Sequence, residues 1–350
     1  MKKVVVLGAG SFGLTLANLL AENKDNEVYV YSLPSEVDSL NTTHEAPKYL
    51  GEGNRINESV IATADLQAVI DMCDYIVIAL PTQVIRSVLS LAKFKSPKVF
   101  INASKGIEIY RDREKTITSG RTISEVIEEV VPAEFIRGNV TISGASYASE
   151  IYKKNVTLLT CASKDPEIRE EVTQLMATPY LQFRMNDNQK EVELSGSLKN
   201  IVAIGSGMVG GYYPYAAENS RSIVIMDGFR EMTRLIAHMT DRTEIEAATS
   251  MIQPHGLGDL MLTSYSDESR NYRFGYYLGQ GHSREKAEEL VVTTIEGEQT
   301  IKIVYDIMKR NNLELPLISN IYNVIYNKKP VKDFIQETLG DVEPKKKDRE

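Results

Sequence analysis

Three groups of residues carry side chains or backbone suited to holding an anion and moving a proton. The first is Gly8-Ala9-Gly10-Ser11-Phe12-Gly13, a G-x-G-x-x-G run. Between a strand and a helix, such a run presents backbone N–H groups and a helix N-terminus to a pyrophosphate. Gly8 serves the tight turn, Gly10 the close approach of phosphate, and Gly13 the packing of helix on strand. The bland alternative, a purely structural glycine turn, is disfavoured by that context.

The second group is a pair of lysines. Lys105 lies in Asn102-Ala103-Ser104-Lys105-Gly106-Ile107, after an apolar run. Lys199 lies in Glu193-Leu194-Ser195-Gly196-Ser197-Leu198-Lys199-Asn200, behind the apolar positions Val192, Leu194 and Leu198. A solvated loop lysine and a snorkelling surface lysine are the plain alternatives. The third group is Gly256-Leu257-Gly258-Asp259-Leu260, then Thr263, then Ser269-Arg270-Asn271. A guanidinium fork beside an amide and a hydroxyl suits a phosphate monoester. Otherwise Asp259 is a simple N-cap, and Ser269 to Asn271 cap the next helix.

These residues need elements to position them. Lys3 to Leu7, Glu27 to Ser32, Tyr75 to Leu80, Lys98 to Ile101, Val140 to Ser143 and Val156 to Thr160 read as buried strands. Helical spacing follows the glycine run to about Glu22 and recurs over Thr82 to Lys93. Strand alternating with helix predicts a parallel sheet covered on both faces, with ligands at its carboxyl edge. After about Gln189 the strand signal stops, and Glu191 to Ala203, Arg221 to Met239, Glu285 to Leu290 and Gln299 to Asn311 have helical periodicity. The expected organisation is an α/β dinucleotide-binding domain over 1–189, an all-helical substrate and catalytic domain over 190–340, and a frayed tail over 341–350. Tyr110 to Arg121, with mixed charge, is expected to be an exposed loop.

Composition narrows the classes. The 350 residues are 42% hydrophobic and 25% charged, an ordinary globular balance that excludes disulfide scaffolds, collagen-like repeats and wholesale disorder. At about 150 residues per domain, the length suits two domains. A net charge of −8 argues against nucleic acid as a partner. Cys73 and Cys161 sit in apolar runs and read as reduced core thiols. His44, His238, His255 and His282 are scattered, so neither a metal site nor a serine-hydrolase grouping is expected. Lys2 and Lys3 before Val4 to Ala21 imitate a secretory leader, but Gly8, Gly10 and Gly13 interrupt the apolar stretch. With no long apolar run either, a soluble cytoplasmic protein without a membrane span is expected.

The end of the second strand bears on NAD against NADP. An acid there would hold the ribose 2′-hydroxyl. The sequence reads Tyr31-Ser32-Leu33-Pro34, with neither acid nor arginine. Glu36, the first acid, lies too far along by linear reading, and Ser32 suits either a 2′-phosphate or a 2′-hydroxyl.

Seven segments together resemble the soluble bacterial type of NAD(P)-dependent glycerol-3-phosphate dehydrogenase: GAGSFGLTLA, LNTTHEAPKYL, NASKGIE, SGASYASEI, ELSGSLKNIVAI, GLGDLMLTSYSDESRNYRFG and LGQG. They span nearly the whole chain. The resemblance implies a Rossmann-type doubly wound sheet followed by a helical domain like the C-terminal one of 6-phosphogluconate dehydrogenase. It implies interconversion of dihydroxyacetone phosphate and sn-glycerol 3-phosphate, feeding glycerophospholipid synthesis, with Lys199 as general acid/base beside Lys105 and Asp259. By the same resemblance Lys105, Gly144, Ser146, Lys199, Asp259, Ser269, Arg270 and Asn271 contact substrate. Gly8, Gly10, Ser11, Phe12, Gly13, Ser32, Lys105, Ala148, Arg270 and Glu296 are the candidate cofactor residues, with a slight lean to NADP capability. The chain departs from the family pattern at Gly144-Ala145-Ser146, Ser195-Gly196-Ser197, Met226-Asp227-Gly228 and His255, and none of these departures removes a catalytic group.

A lysine at its reference pKa of about 10.4 is a poor base at neutral pH. Burial and neighbouring positive charge would lower it, while Asp259 would oppose that shift and orient the ammonium. The competing functions are another 3-hydroxyacid or opine-type dehydrogenase, which would need carboxylate contacts in place of Ser269-Arg270-Asn271, and a non-catalytic nicotinamide sensor. The expected partners are a small phosphorylated triose and a second copy of the chain in a homodimer.

Overall fold

The computed structural model describes residues 1–111, 117–213, 215, 217–292 and 295–340. Two compact units are present: Met1–Glu108 with Arg121–Glu193, and Ile109–Gly120 with Leu194–Glu350. The expected tail over 341–350 lies outside the described residues.

The first unit is built on strands β1 (Lys2–Leu7), β2 (Asn26–Tyr31), β3 (Ile61–Thr63), β4 (Tyr75–Ile78) and β5 (Lys98–Asn102). After the short strands β6 (Glu108–Arg111) and β7 (Ile117–Arg121) come β8 (Ile136–Ser143), β9 (Thr157–Ala162) and β10 (Leu181–Asn186). Its helices are α1 (Ser11–Leu20), α2 (Pro34–Thr42), α3 (Pro47–Leu50), α4 (Leu66–Met72), α5 (Thr82–Leu91), α6 (Ile123–Val130), α7 (Ala148–Tyr152) and α8 (Pro166–Met176). The eight-stranded sheet runs β10-β9-β8-β5-β4-β1-β2-β3, with β1 parallel to both neighbours.

Successive side chains of a strand point to opposite faces. Val4 and Val6 of β1 therefore join one buried cluster with Leu14, Leu16 and Leu20 of α1. Val5 and Leu7 join another with Ile76, Ile78 and Phe100. Burial on both faces explains why these strands read as continuous apolar runs.

The sheet departs from the expected all-parallel form. β8 and β9 are antiparallel, with Ile142 opposite Cys161. The connection between them carries only the five-residue α7, short of the full helix that a parallel crossover normally uses, and β9 runs back. β3 and β10 were not foreseen, being short in one case and half-exposed in the other. The expected loop over Tyr110 to Arg121 instead contains β7 and the second half of β6, which pair as a two-stranded sheet. Pairing satisfies backbone groups that an isolated loop would leave to water; residues 112–116 lie outside the description.

The second unit takes up α9 (Gln189–Tyr212) from Leu194 onward. It continues through α10 (Glu218–Thr240), α11 (Glu244–Met251), α12 (Asp259–Tyr265), α13 (Arg270–Gly279), α14 (Arg284–Val291), α15 (Glu296–Asn311), α16 (Pro316–Tyr326) and α17 (Val331–Leu339). Glycines let α9 and α13 meet backbone to backbone. A Cβ on Gly207 would stand 2.1 Å from the Tyr272 carbonyl oxygen, and one on Gly275 would stand 1.9 Å from that of Ile204. A π-helical turn, Pro254–Gly258, leads into α12 and is tied to α9 by the Ser195 hydroxyl donating to the His255 carbonyl at 3.1 Å. Among the described residues, no helix is long and apolar enough to cross a membrane. Cys73 and Cys161 are buried and free.

Candidate active site

In the first unit the glycine run joins β1 to α1 as its spacing predicts. Gly8 has φ +113°, and a Cβ on it would lie 2.6 Å from the Ala79 carbonyl oxygen. A Cβ on Gly13 would lie 1.9 Å from the Gly8 carbonyl oxygen, so only glycine lets α1 pack this closely on the turn. Gly10 differs: a Cβ there meets nothing within 4 Å among the described residues. That open approach lies at the N-terminus of α1, which no side-chain hydrogen bond caps among the described residues. Ser11 is exposed and Phe12 half-buried on the first turn. Free N–H groups at a helix start with clear space before them fit the pyrophosphate of a dinucleotide. Ala148, at the start of α7, is brought to α1 by the Thr15 hydroxyl donating to its carbonyl at 3.4 Å.

The carboxyl edge of the sheet gathers further candidates. Gly8 N–H donates to the Tyr31 carbonyl at 3.1 Å and Ser32 N–H to that of Thr63 at 3.0 Å. The Ser32 hydroxyl donates to Glu36 Oε2 at 2.7 Å, and the Tyr49 hydroxyl to Glu36 Oε1 at 2.8 Å. Glu36, which linear reading sets apart from Ser32, thus lies against it. Pro34 starts α2 directly after the strand, and the first helical turn folds Glu36 back onto Ser32.

Lys105, Gly144 and Ser146 come together because β5 and β8 are parallel neighbours. Lys105 Nζ donates to the Gly144 carbonyl at 2.9 Å, and the Ser146 hydroxyl donates to the same oxygen at 3.1 Å. Beneath this loop lies Glu193, whose carboxylate is buried. It accepts from Asn102 Nδ2 at 2.8 Å, the Thr141 hydroxyl at 3.0 Å and the Ser124 N–H at 3.0 Å. Burial pushes its carboxyl above the usual carboxylate range, and the hydroxyl and N–H donors work against that rise. Asn102 Oδ1 in turn accepts from Ser104 N–H at 2.9 Å, next to Lys105.

In the second unit Lys199 is 5% exposed, which excludes a snorkelling surface lysine. Its ammonium donates to Asp259 Oδ1 at 2.5 Å and to the Thr263 hydroxyl at 2.6 Å. Asp259 and Thr263 lie one turn apart on α12 and so face Lys199 together. Asp259 is the first residue of α12, with Gly258 at the cap position, so the N-cap alternative falls. Ser269, by contrast, does cap α13, accepting from Tyr272 N–H at 3.2 Å. Arg270 is exposed, with its guanidinium 3.7 Å from Glu296 Oε1. Asn200 Nδ2 reaches Glu296 Oε2 at 3.5 Å, and Asn271 Oδ1 accepts from Gly297 N–H at 2.9 Å. Asn200, Arg270, Asn271 and Glu296 therefore belong to one contiguous patch of α9, α13 and α15, and Lys199 precedes Asn200 on α9. Glu193 and Glu36 are additions to the expected site residues, whereas Thr263, already grouped with Asp259 by sequence, meets Lys199 through its i, i+4 spacing from Asp259.

Among the described residues no group of three or more His, Cys, Asp or Glu is arranged to hold a metal ion. A buried carboxylate–ammonium pair is a weak contributor to net stability. A buried lysine with an acid and a hydroxyl on its amine is an arrangement suited to handing over or receiving a proton at Nζ.

Comparison with known proteins agrees with this chemistry. Residues 3–169 match the model for the N-terminus of NAD-dependent glycerol-3-phosphate dehydrogenase, and residues 189–336 match that for its C-terminus. The glycerol-3-phosphate dehydrogenase [NAD(P)+] of Staphylococcus aureus is 34% identical over 97% of this chain and 98% of its own length. The crystal structure of glycerol-3-phosphate dehydrogenase from Coxiella burnetii superposes with a TM-score of 0.82 at 27% identity, covering 97% of this chain and 99% of that one. The Plasmodium falciparum glycerol-3-phosphate dehydrogenase shares the fold, with a TM-score of 0.85 at 20% identity over 99% of this chain and 97% of that one. With both halves matched and a curated relative aligned almost end to end, the chain belongs to the NAD-dependent glycerol-3-phosphate dehydrogenase family.

Proposed function

We propose that this chain interconverts dihydroxyacetone phosphate and sn-glycerol 3-phosphate using NAD(H) or NADP(H). The observation that carries the proposal is the buried Lys199–Asp259–Thr263 constellation in a chain of this family. When bound, the nicotinamide supplies or accepts the hydride at C2 of the triose. Lys199 Nζ gives a proton to the C2 oxygen in ketone reduction and takes it back in alcohol oxidation. Asp259 and Thr263 hold that ammonium in one orientation. Asp259 favours the charged form of Lys199, which suits the acid role. Candidate substrate contacts are Lys105, Gly144, Ser146, Ser269, Arg270 and Asn271, with Arg270 as the principal phosphate ligand. Candidate cofactor contacts are the glycine turn, Ser11, Phe12, Ser32, Ala148 and Glu296, with Lys105 and Arg270 shared.

In this function the enzyme is cytoplasmic, works as a homodimer and supplies glycerophospholipid synthesis; sedimentation of the purified chain tests the dimer. The catalytic test is loss of reduced-nicotinamide absorbance at 340 nm with dihydroxyacetone phosphate, against unphosphorylated dihydroxyacetone. Turnover of the first and near silence of the second is expected. Comparable rates with both, or with neither, would overturn the assignment.

A further inference from the structure

We propose that Glu36 decides the cofactor, holding a fixed negative charge at the adenosine ribose subsite so that this chain takes NAD(H) in preference to NADP(H). The inference rests on the dehydrogenase function proposed above and narrows it.

The geometry lies wholly in the first unit. Gly8 N–H bonds to the Tyr31 carbonyl at 3.1 Å, so the end of β2 is fixed beside the turn that fits the pyrophosphate. Ser32, the next residue, is buried, and its backbone is pinned to Thr63. In a doubly wound sheet this is the place where an acid accepts the ribose 2′-hydroxyl. The acid here comes from α2 rather than from the strand. Both Glu36 oxygens are held, Oε2 by the Ser32 hydroxyl at 2.7 Å and Oε1 by the Tyr49 hydroxyl at 2.8 Å.

Two consequences follow for a 2′-substituent. A carboxylate oxygen has lone pairs beyond the one used, so Glu36 still accepts from a 2′-hydroxyl. A 2′-phosphate offers acceptors only and meets a like charge. Ser32 cannot offset this, because its single hydroxyl proton already goes to Glu36. Facing the group from the Tyr49 element is Lys48, which lies over the Tyr49 ring at 4.8 Å and is exposed, so water and salt screen its charge.

The test is equilibrium binding without substrate. NADH and NADPH are titrated into the purified enzyme by calorimetry, and 5′-AMP and adenosine 2′,5′-bisphosphate serve as probes of the ribose subsite alone. Wild type is expected to bind NADH at least about tenfold more tightly than NADPH, and 5′-AMP more tightly than the bisphosphate. Glu36→Gln keeps an acceptor for Ser32 or Tyr49 but removes the charge. It should lose most of that preference, chiefly through tighter NADPH binding. Tyr49→Phe frees one oxygen and keeps the charge, so it should retain the wild-type preference. Equal wild-type affinities for the two dinucleotides would overturn the role of Glu36 while leaving the dehydrogenase function standing. An unchanged preference in Glu36→Gln would do the same. Failure of wild type to bind either dinucleotide would overturn the function itself, and the role of Glu36 with it. Should neither variant fold, the wild-type comparison alone decides.

Discussion

Lys199 Nζ lies 2.5 Å from Asp259 Oδ1 across 60 residues of sequence, and both side chains are almost wholly buried. Lys199→Met keeps the stem but removes the proton carrier, so kcat should fall by about 10²–10⁴ in both directions. Because Asp259 is then left buried without its partner, the same variant should also lose thermal stability. Lys199→Arg separates the two effects. It keeps a cation for Asp259 but cannot give up its proton, so it should recover Tm and not kcat. Calorimetric NADH affinity should be unchanged in both variants. Near-wild-type kcat in Lys199→Met would remove this lysine from the mechanism.

Arg270 is held only loosely, 3.7 Å from Glu296, and stays available to an anion. A charge-assisted hydrogen bond contributes about 1.5–3 kcal/mol. Arg270→Ala should therefore lower kcat/KM for dihydroxyacetone phosphate by about 10- to 100-fold or more. Unphosphorylated dihydroxyacetone, a poor substrate throughout, should be affected little. Steady-state rates with both compounds measure the difference, and equal losses would contradict a phosphate role.

Glu193 collects donors from β5, β8 and the start of α6. Glu193→Ala strands Asn102 Nδ2 and the Ser124 N–H in a dry interior, at a cost of about 1–3 kcal/mol for each unsatisfied group. Tm should drop accordingly. Since Asn102 also accepts from Ser104 beside Lys105, KM for dihydroxyacetone phosphate should rise as well. A fall in Tm with unaltered KM would show that the network serves folding alone.

Glu231 caps α16 from α10, accepting from Leu317 N–H at 2.7 Å and Ile318 N–H at 2.9 Å. Burial nonetheless pushes its carboxyl up to about 6, against an ordinary value of 4.5. In that window the folded state binds more protons than the unfolded one, so stability falls as pH rises from about 4.5 to about 6 and levels off above. The shift corresponds to about 2 kcal/mol. Glu231→Gln cannot titrate, so the stability difference between wild type and variant should move against wild type over that range. Urea unfolding of both proteins at several pH values measures it. A pH-independent difference would mean that Glu231 titrates alike in the folded and unfolded states.

What the linear chain determined is local. The glycine spacing, the apolar run before it and the helical period after it lie within one strand-turn-helix. The conformations they require depend on neighbours a few residues away, so the turn at Gly8 to Gly13 was legible, as was the helical character from Glu191 onward. The family motifs likewise marked Lys105, Lys199, Asp259 and Arg270 without saying what surrounds them. The tertiary structure decided every partnership that depends on packing. It turned α2 back so that Glu36 meets Ser32, and it reversed β9 against β8. It used Ser269 as a helix cap but gave Asp259 to Lys199 instead. The two buried networks, around Glu193 and around Lys199, became visible only when distant segments were brought into contact. A buried carboxylate or ammonium must find its partners wherever the core places them, and no local periodicity records that choice.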